Sequence, residues 1–456
     1  MIRLLYNLLF PLGLLLFLPG YFLKMRRRGN YRRNFGQRFG FYGAEVRARL
    51  ASRRPTWIHA VSVGEVAIAL KLAAKLRELD PAFTCALTTT TTTGYAFANA
   101  EARDWMEVIY NPLDYWPIVR SAFATIRPAR IVLVEAEVWP NLAAMAQARG
   151  VPLALVNARL SPRSERRFLR FRAFVAPTFR CLDLVCVQEE RDIARWESLG
   201  VRREVIREIG SIKYDPAEGQ SDDNLPREVL GKFGVHAGRP ILFGGSTHAG
   251  EEEILGGTFL GLRAEFPDLL LVVAARHVER TGEIRIALER AGLRVALRSQ
   301  VGEWGGAEPP DCLLLDTTGE LRRWYAVATV VFVGKSLTSR GGQNPVEPIL
   351  AGKPVLFGPQ MENFASLAEA LRREHGAIEV RDAEALAARV AELLRMPEMR
   401  DRMVANAERV IAHHRGATRR TAELLLLMRA PRQPAWRTAA KSLARAGALL
   451  ILPPLS

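Results

Sequence analysis

The amino-acid sequence predicts an α/β protein of two doubly wound halves, each a largely parallel sheet with helices on both faces. Three observations carry this. Short apolar runs alternate with helical patterns from residue 57 onward; the alternation stops at a polar, turn-rich stretch (DPAEGQSDDNLP, 215–226); it then restarts. The chain has 456 residues, which suits two or three domains of roughly 100–200 residues each.

The elements follow in chain order. Residues 4–23 (LLYNLLFPLGLLLFLPGYFL) are mostly apolar and uncharged, long enough to cross a hydrocarbon core of about 30 Å as a helix. Asn7, Pro11 and Pro19 interrupt the stretch, so a shallow insertion is the other reading. Lys24, Arg26, Arg27, Arg28, Arg32 and Arg33 come directly after it. Positive flanks stay in the cytoplasm, and a secretory signal would carry its charge before the apolar run. Strands are expected over 57–61, 84–90, 131–134, 152–157 and 183–188, with helices over 66–79, after Gly94, over 142–149 with Gly150 as its stop, and over 189–199. Past the linker, strands are expected over 241–244, 269–275, 293–297, 312–316, 330–333 and 354–357. The domain boundaries that follow are an anchor at 1–24, a first domain at 25–215, a second at 216–428, and a basic then apolar tail at 429–456.

Charge narrows the partners. Lys and Arg number 64 against 48 Asp and Glu, a formal net charge of +16. Such an excess favours polyanions. With no zinc-knuckle, RRM or helix-turn-helix signature, nucleic acid is set aside in favour of anionic lipid and phosphorylated substrates. Cys85, Cys181, Cys186 and Cys312 sit inside apolar runs, and no histidine cluster completes a metal site around the CLDLVC pair. They read as buried thiols in a reducing compartment, so the body of the protein is expected in the cytoplasm, without a metal.

The chemistry-bearing segments fall at the expected carboxyl ends of strands, the usual ligand edge of such sheets. HAVSVGE (59–65) is a strand end, a tight loop and a helix start, placing Glu65 in a first helical turn. Helix capping is the structural alternative for it. EAEVWPN (135–141) puts Glu135 and Glu137 after the next central strand, and NARLS (157–161) adds Asn157 and Arg159 to the same rim. GSIKYD (210–215) places Lys213 just before the linker, able to meet a phosphate as a point charge. In the second half the loops are GGSTH (244–248) followed by Glu251–Glu253, then ARH (275–277), DTTGEL (316–321), GKSL (334–337) and GGQNPVEP (341–348). Paired glycines before a helix opened by Pro345 suit an anion, and Glu347 in that first turn suits ribose hydroxyls.

Together these segments resemble the Kdo transferase family, enzymes that add 3-deoxy-D-manno-octulosonic acid at the start of lipopolysaccharide core assembly. The matching stretches are RNFGQRFGFY (33–42), HAVSVGE, NPLDYWP (111–117), VEAEVWPN, NARLSPRS (157–164), GSIKYD, STHAGEE (246–252), ARHVER (275–280), DTTGEL and GGQNPVEP, in the family's order. The resemblance implies a GT-B glycosyltransferase: two Rossmann-like domains facing a cleft, with a membrane-anchor helix in front. It also implies inverting, metal-independent transfer from CMP-Kdo, the donor substrate, to a lipid A precursor at the cytoplasmic face of the inner membrane. Glu65 takes the catalytic-base position, and Glu135 and Lys213 match positions assigned to transition-state stabilisation. Ala275 with Arg276, then Thr318, Gly319 and Glu320, then Asn344, Pro345, Val346 and Glu347 match the CMP-binding segments.

The chain departs from the family pattern at three places. Many members have histidine at Gln343, glycine at Lys335 and proline at Ala275. The alternative reading is another nucleotide-sugar enzyme of the same architecture, a UDP-N-acetylglucosamine 2-epimerase or a lipid-linked UDP-sugar transferase.

Overall fold

The computed structural model describes residues 2–28, 34–51, 53–215, 224–302, 304 and 308–428. The tail at 429–456 and most of the linker lie outside them. The chain divides into two compact units, one made of the residues up to Asp215 and from Gly416 on, the other Pro216–Arg415.

The first unit is a seven-stranded parallel sheet in the order β3-β2-β1-β4-β5-β6-β7. Its strands are β1 (Thr56–Ala60), β2 (Cys85–Thr89), β3 (Met106–Tyr110), β4 (Arg130–Val134), β5 (Leu153–Ala158), β6 (Leu184–Val187) and β7 (Ile206–Glu208). The period of two along a strand supplies both cores. Ile131 and Leu133 of β4 join one apolar cluster, Val132 and Val134 the other. Strands buried on both faces lack polar alternation, which made the central ones legible as short apolar runs. The edge strands β3 and β7 were not foreseen.

The second unit repeats the plan with β8 (Ile241–Thr247), β9 (Leu270–Ala275), β10 (Val295–Leu297), β11 (Cys312–Leu314), β12 (Val330–Val333), β13 (Val355–Phe357) and β14 (Ile378–Glu379). Its order is β10-β11-β9-β8-β12-β13-β14, all parallel. Each sheet therefore reverses its strand order at one point, between β1 and β4 and between β8 and β12. Crevices at such points, outside the carboxyl ends of the strands, are where doubly wound sheets take ligands.

The expected second domain of 216–428 is too long at its end. The helix Ala417–Leu427 belongs to the first unit, where Ala417, Ala422 and Leu425 share a core with Leu72 and Leu76 of the helix Val63–Leu79. Its start is fixed by Asp215, whose carboxylate accepts the Gly416 and Thr418 N–H groups at 2.7 Å each. The Arg130 guanidinium donates to the Leu425 carbonyl at its other end.

The anchor expected at 4–23 lies within the helix Ile2–Arg28. Among the described residues no helix is long and apolar enough to cross a membrane. One side of the N-terminal helix is held by the first unit. Asn7 and Asn141 exchange amide hydrogen bonds at 2.9 Å, Asn7 Oδ1 accepts the Trp116 N–H at 3.1 Å, and Phe10 stacks on Tyr115 with ring centroids 5.4 Å apart. The other side presents Leu4, Leu8, Leu15 and Leu16, each at least 67% exposed.

Candidate active site

In the first unit the carboxyl ends of β1 and β4 meet at the switch point, because these strands pair directly. The helix after β1 begins at Val63, three residues before its first expected position, because Ser62 caps it. Ser62 Oγ accepts the Glu65 N–H at 3.4 Å, while the Glu65 carboxylate accepts the Ser62 hydroxyl and the Val61 N–H at 2.9 Å each. Capping and presentation at the sheet edge are therefore both true of Glu65.

After β4 the chain turns sharply at Glu135, whose φ of 64° is left-handed. Its N–H donates to the Val156 carbonyl at 3.0 Å and its carbonyl accepts the Arg159 N–H at 3.4 Å, so the turn is tied to β5. Capping of the next helix, Pro140–Arg149, is done by another residue. Asp114 accepts the Asn141 and Leu142 N–H groups at 2.9 Å each. Glu135 and Glu137 are thereby released from a capping duty and sit half-buried at the rim.

Charge follows this geometry. Burial, reinforced by the nearby Glu65 carboxylate, raises the Glu135 carboxyl above its ordinary pKa, against the pull of Arg159 and Lys213. Glu137 is raised by burial and by the Glu65 and Glu135 charges. Lys213 is lowered, first by burial and then by Arg159, while Glu135 works to keep it charged. Tyr214 is pushed up to about 12, chiefly by burial. Glu135 thus feels the Glu65 carboxylate on one hand and the Lys213 and Arg159 charges on the other.

The Lys213 segment is fixed from several sides. Asn157, left-handed at φ 51° and buried, accepts the Ile212 N–H at 3.0 Å and the Ser211 hydroxyl at 3.2 Å. Lys71 donates to the Ile212 carbonyl at 2.9 Å and to the Asp215 carbonyl. A lysine on a turn held this way is presented rather than loosely solvated.

In the second unit, the expected nucleotide-binding residues lie in loops at the carboxyl ends of β9, β11 and β12. Ala275 ends β9, and the Arg276 side chain is exposed beyond it. Thr318 and Gly319 are exposed on the turn after β11. Glu320 is engaged by its own unit, accepting from Arg298 at 3.1 and 3.3 Å and from Thr317 at 3.0 Å. Asn344 Oδ1 takes the Val346 N–H at 3.1 Å, and the helix that follows, Val346–Leu350, is a single short turn. Pro345 therefore caps this helix from outside rather than opening it. Burial raises the Glu347 carboxyl, with Arg322 opposing.

Glu251, named in the sequence only as part of the segment after GGSTH, has a role that the residues alone do not show. It is fully buried, and its carboxylate accepts four backbone N–H groups: His248 at 2.8 Å, Lys335 at 2.7 Å, and Ser336 and Leu337 at 3.0 Å each. Only the fold brings the 335–337 loop over it.

Comparison with known proteins identifies the family. Residues 33–216 match the family model described as 3-deoxy-D-manno-octulosonic-acid transferase (kdotransferase). The chain is 36% identical over 399 residues to the 3-deoxy-D-manno-octulosonic acid transferase of Bordetella pertussis, covering 85% of this chain and 90% of the relative. It is 33% identical over 397 residues to the enzyme of the same name from Haemophilus influenzae, covering 87% and 91%. Among solved structures it is similar to the UDP-GlcNAc 2-epimerase of Neisseria meningitidis, with a TM-score of 0.55 at 12% identity over 82% of this chain and 99% of that one. That likeness bears on fold alone, and it places the two doubly wound units in the GT-B class. At these identities and over this much of both sequences, the chain belongs to the 3-deoxy-D-manno-octulosonic-acid transferase family.

Proposed function

We propose that the chain transfers Kdo from CMP-Kdo to a lipid A precursor, with inversion and without a metal, at the cytoplasmic face of the inner membrane. The observation that supports the catalytic assignment is the electrostatic coupling of Glu135 to Glu65 and to Lys213, with Glu65 and Glu135 following the paired strands β1 and β4. In this reading Glu65 takes the proton of the acceptor hydroxyl, and the freed oxygen forms a bond to the anomeric carbon of Kdo. The bond from that carbon to the phosphate oxygen breaks, and CMP leaves with the electron pair. Lys213 and Arg159 supply fixed positive charge for the developing anion, the task a divalent ion would otherwise perform. Glu135, beside them, holds the lysine charged. The segments Ala275–Arg276, Thr318–Glu320 and Asn344–Glu347 hold CMP through backbone groups and the Arg276 side chain.

The N-terminal helix supports peripheral membrane attachment. Its Tyr6–Asn7–Phe10 side is held by the protein while its leucine side faces outward, as in a helix lying in the interface plane.

The experiment is product mass after the purified protein, in detergent, meets freshly generated CMP-Kdo and a tetra-acylated lipid A precursor, beside Glu65→Gln. Product from the wild type and almost none from the folded variant supports the reading. Equal product from both removes Glu65 as the base, and no product from folded wild type removes the donor or acceptor.

A further inference from the structure

We propose that Lys335, together with His248 and His277, forms an anion subsite at the switch point of the second sheet, one that takes an acidic group of the donor. The inference rests on the transferase reading only for the identity of that donor.

β8 and β12 pair directly, so the loops after them are neighbours. Glu251 staples the two by accepting the His248 N–H from one loop and the Lys335, Ser336 and Leu337 N–H groups from the other. Successive N–H groups converging in this way form a nest of the type that binds phosphate. Here the nest is filled from within, each carboxylate oxygen taking two N–H donors. An anion from solution must therefore be met by side chains.

The staple also decides which side chains. Aiming the Lys335 N–H at Glu251 costs that residue a left-handed backbone, φ 56°, a region that favours glycine. A lysine held there is tolerated by the backbone rather than selected by it. Its stem runs beside Gly341, where an added Cβ would stand 3.5 Å from Lys335 Cε. Its charge reaches His248, whose pKa is lowered by burial first and by Lys335 next. The His248 ring meets that of His277 edge-on, centroids 5.6 Å apart. His277 follows Arg276 on the loop after β9, which pairs with β8. The buried Glu251 charge is spread over four N–H donors, and Lys335, His248 and His277 stand on the neighbouring loops after β12, β8 and β9 at the sheet's ligand edge. A phosphate or a carboxylate fits that donor set.

The donor carries both, and the test separates them. Binding of CMP, inorganic phosphate and the free acid sugar is measured on full-length wild type, Lys335→Met and Lys335→Arg, together with KM and kcat for transfer. Both variants keep the stem and the left-handed position. The expected result is an anion affinity weakened about tenfold or more in Lys335→Met and largely kept in Lys335→Arg. KM for the donor should rise in step while kcat changes little. Loss for CMP and phosphate assigns the subsite to the phosphate; loss for the acid sugar alone assigns it to the carboxylate. Unchanged affinity for all three anions in Lys335→Met overturns the proposal. Absence of transfer by wild type would instead count against the transferase reading, while the anion affinities still report on the subsite.

Discussion

The side-chain oxygen of Asn157 accepts the backbone N–H of Ile212 at 3.0 Å, one of the bonds that fix the turn carrying Lys213. The same oxygen takes the Ser211 hydroxyl, and the Gln188 amide donates to the Asn157 carbonyl at 3.1 Å. Asn157 is also left-handed, a conformation asparagine tolerates better than most residues. It acts through Lys213 and is a positioning residue.

Replacing Asn157 should therefore lower turnover more than it lowers stability. Asn157→Gly keeps the backbone conformation and loses the acceptor; Asn157→Ala loses the acceptor and adds strain of about 1–3 kcal/mol. Both should lower kcat by about 10²-fold, since a displacement of about 1 Å at a reacting group costs that much. Thermal unfolding should rank glycine above alanine. A glycine variant with wild-type kcat would show that Lys213 needs no such clamp.

Arg159 sets the pH range of the same cluster. Its charge lowers the Glu135 carboxyl against the rise caused by burial, and it lowers Lys213 in the same direction as burial. Arg159→Met removes both pulls, so both groups should titrate at higher pH. The acid and the basic limb of the kcat/KM profile should shift upward together. A shift of one limb alone would mean that the other reports a different group.

Close approach makes one glycine of the second unit indispensable and leaves another open. A Cβ on Gly358 would stand 2.1 Å from the Ser336 carbonyl oxygen, in the loop that Glu251 holds. Gly358→Ala should cost at least about 2 kcal/mol and weaken nucleotide binding through that loop. Gly257, in the helix Glu251–Leu262, meets nothing within 4 Å. Gly257→Ala should stabilise by roughly 0.5–1 kcal/mol. Equal melting temperatures for the two variants would contradict this packing.

Much of this was legible in the residues themselves. Strands such as β12 and β13 are continuous apolar runs because both faces are covered, and Glu65 stands out at the end of HAVSVGE, just after a strand. What stayed hidden depends on contacts distant in sequence. The helix Ala417–Leu427 has a helical pattern in either unit, and only the Asp215 cap and the packing on Leu72 and Leu76 place it in the first. The role of Glu251 hides for the same reason, three of its four N–H partners being 84 to 86 positions away. Edge strands as short as β14 carry too few residues to show a period.

Two buried groups of the first unit should oppose each other in its acid stability. His59 is fully buried, and desolvation lowers its pKa from 6.5 to about 4. The unfolded chain binds that proton first, so the stability His59 contributes is present above pH 6.5 and is lost as pH falls toward 4. Asp114 runs the other way. Burial raises it from 3.8 to about 6, so its contribution is complete below pH 3.8 and is lost as pH rises through 6. Each slope is at most about 1.4 kcal/mol per pH unit. Between pH 4 and 6 the two largely cancel, and wild-type melting should be nearly flat on their account. In Asp114→Asn the opposing slope is gone. The variant should be less stable throughout, because one of the Asn141 and Leu142 N–H groups loses its acceptor. Its melting temperature should nevertheless climb more steeply with pH than that of the wild type. The stability gap should close by as much as roughly 3 kcal/mol from pH 4 to 6. Parallel melting curves would mean that Asp114 is ionised in the folded protein across this range.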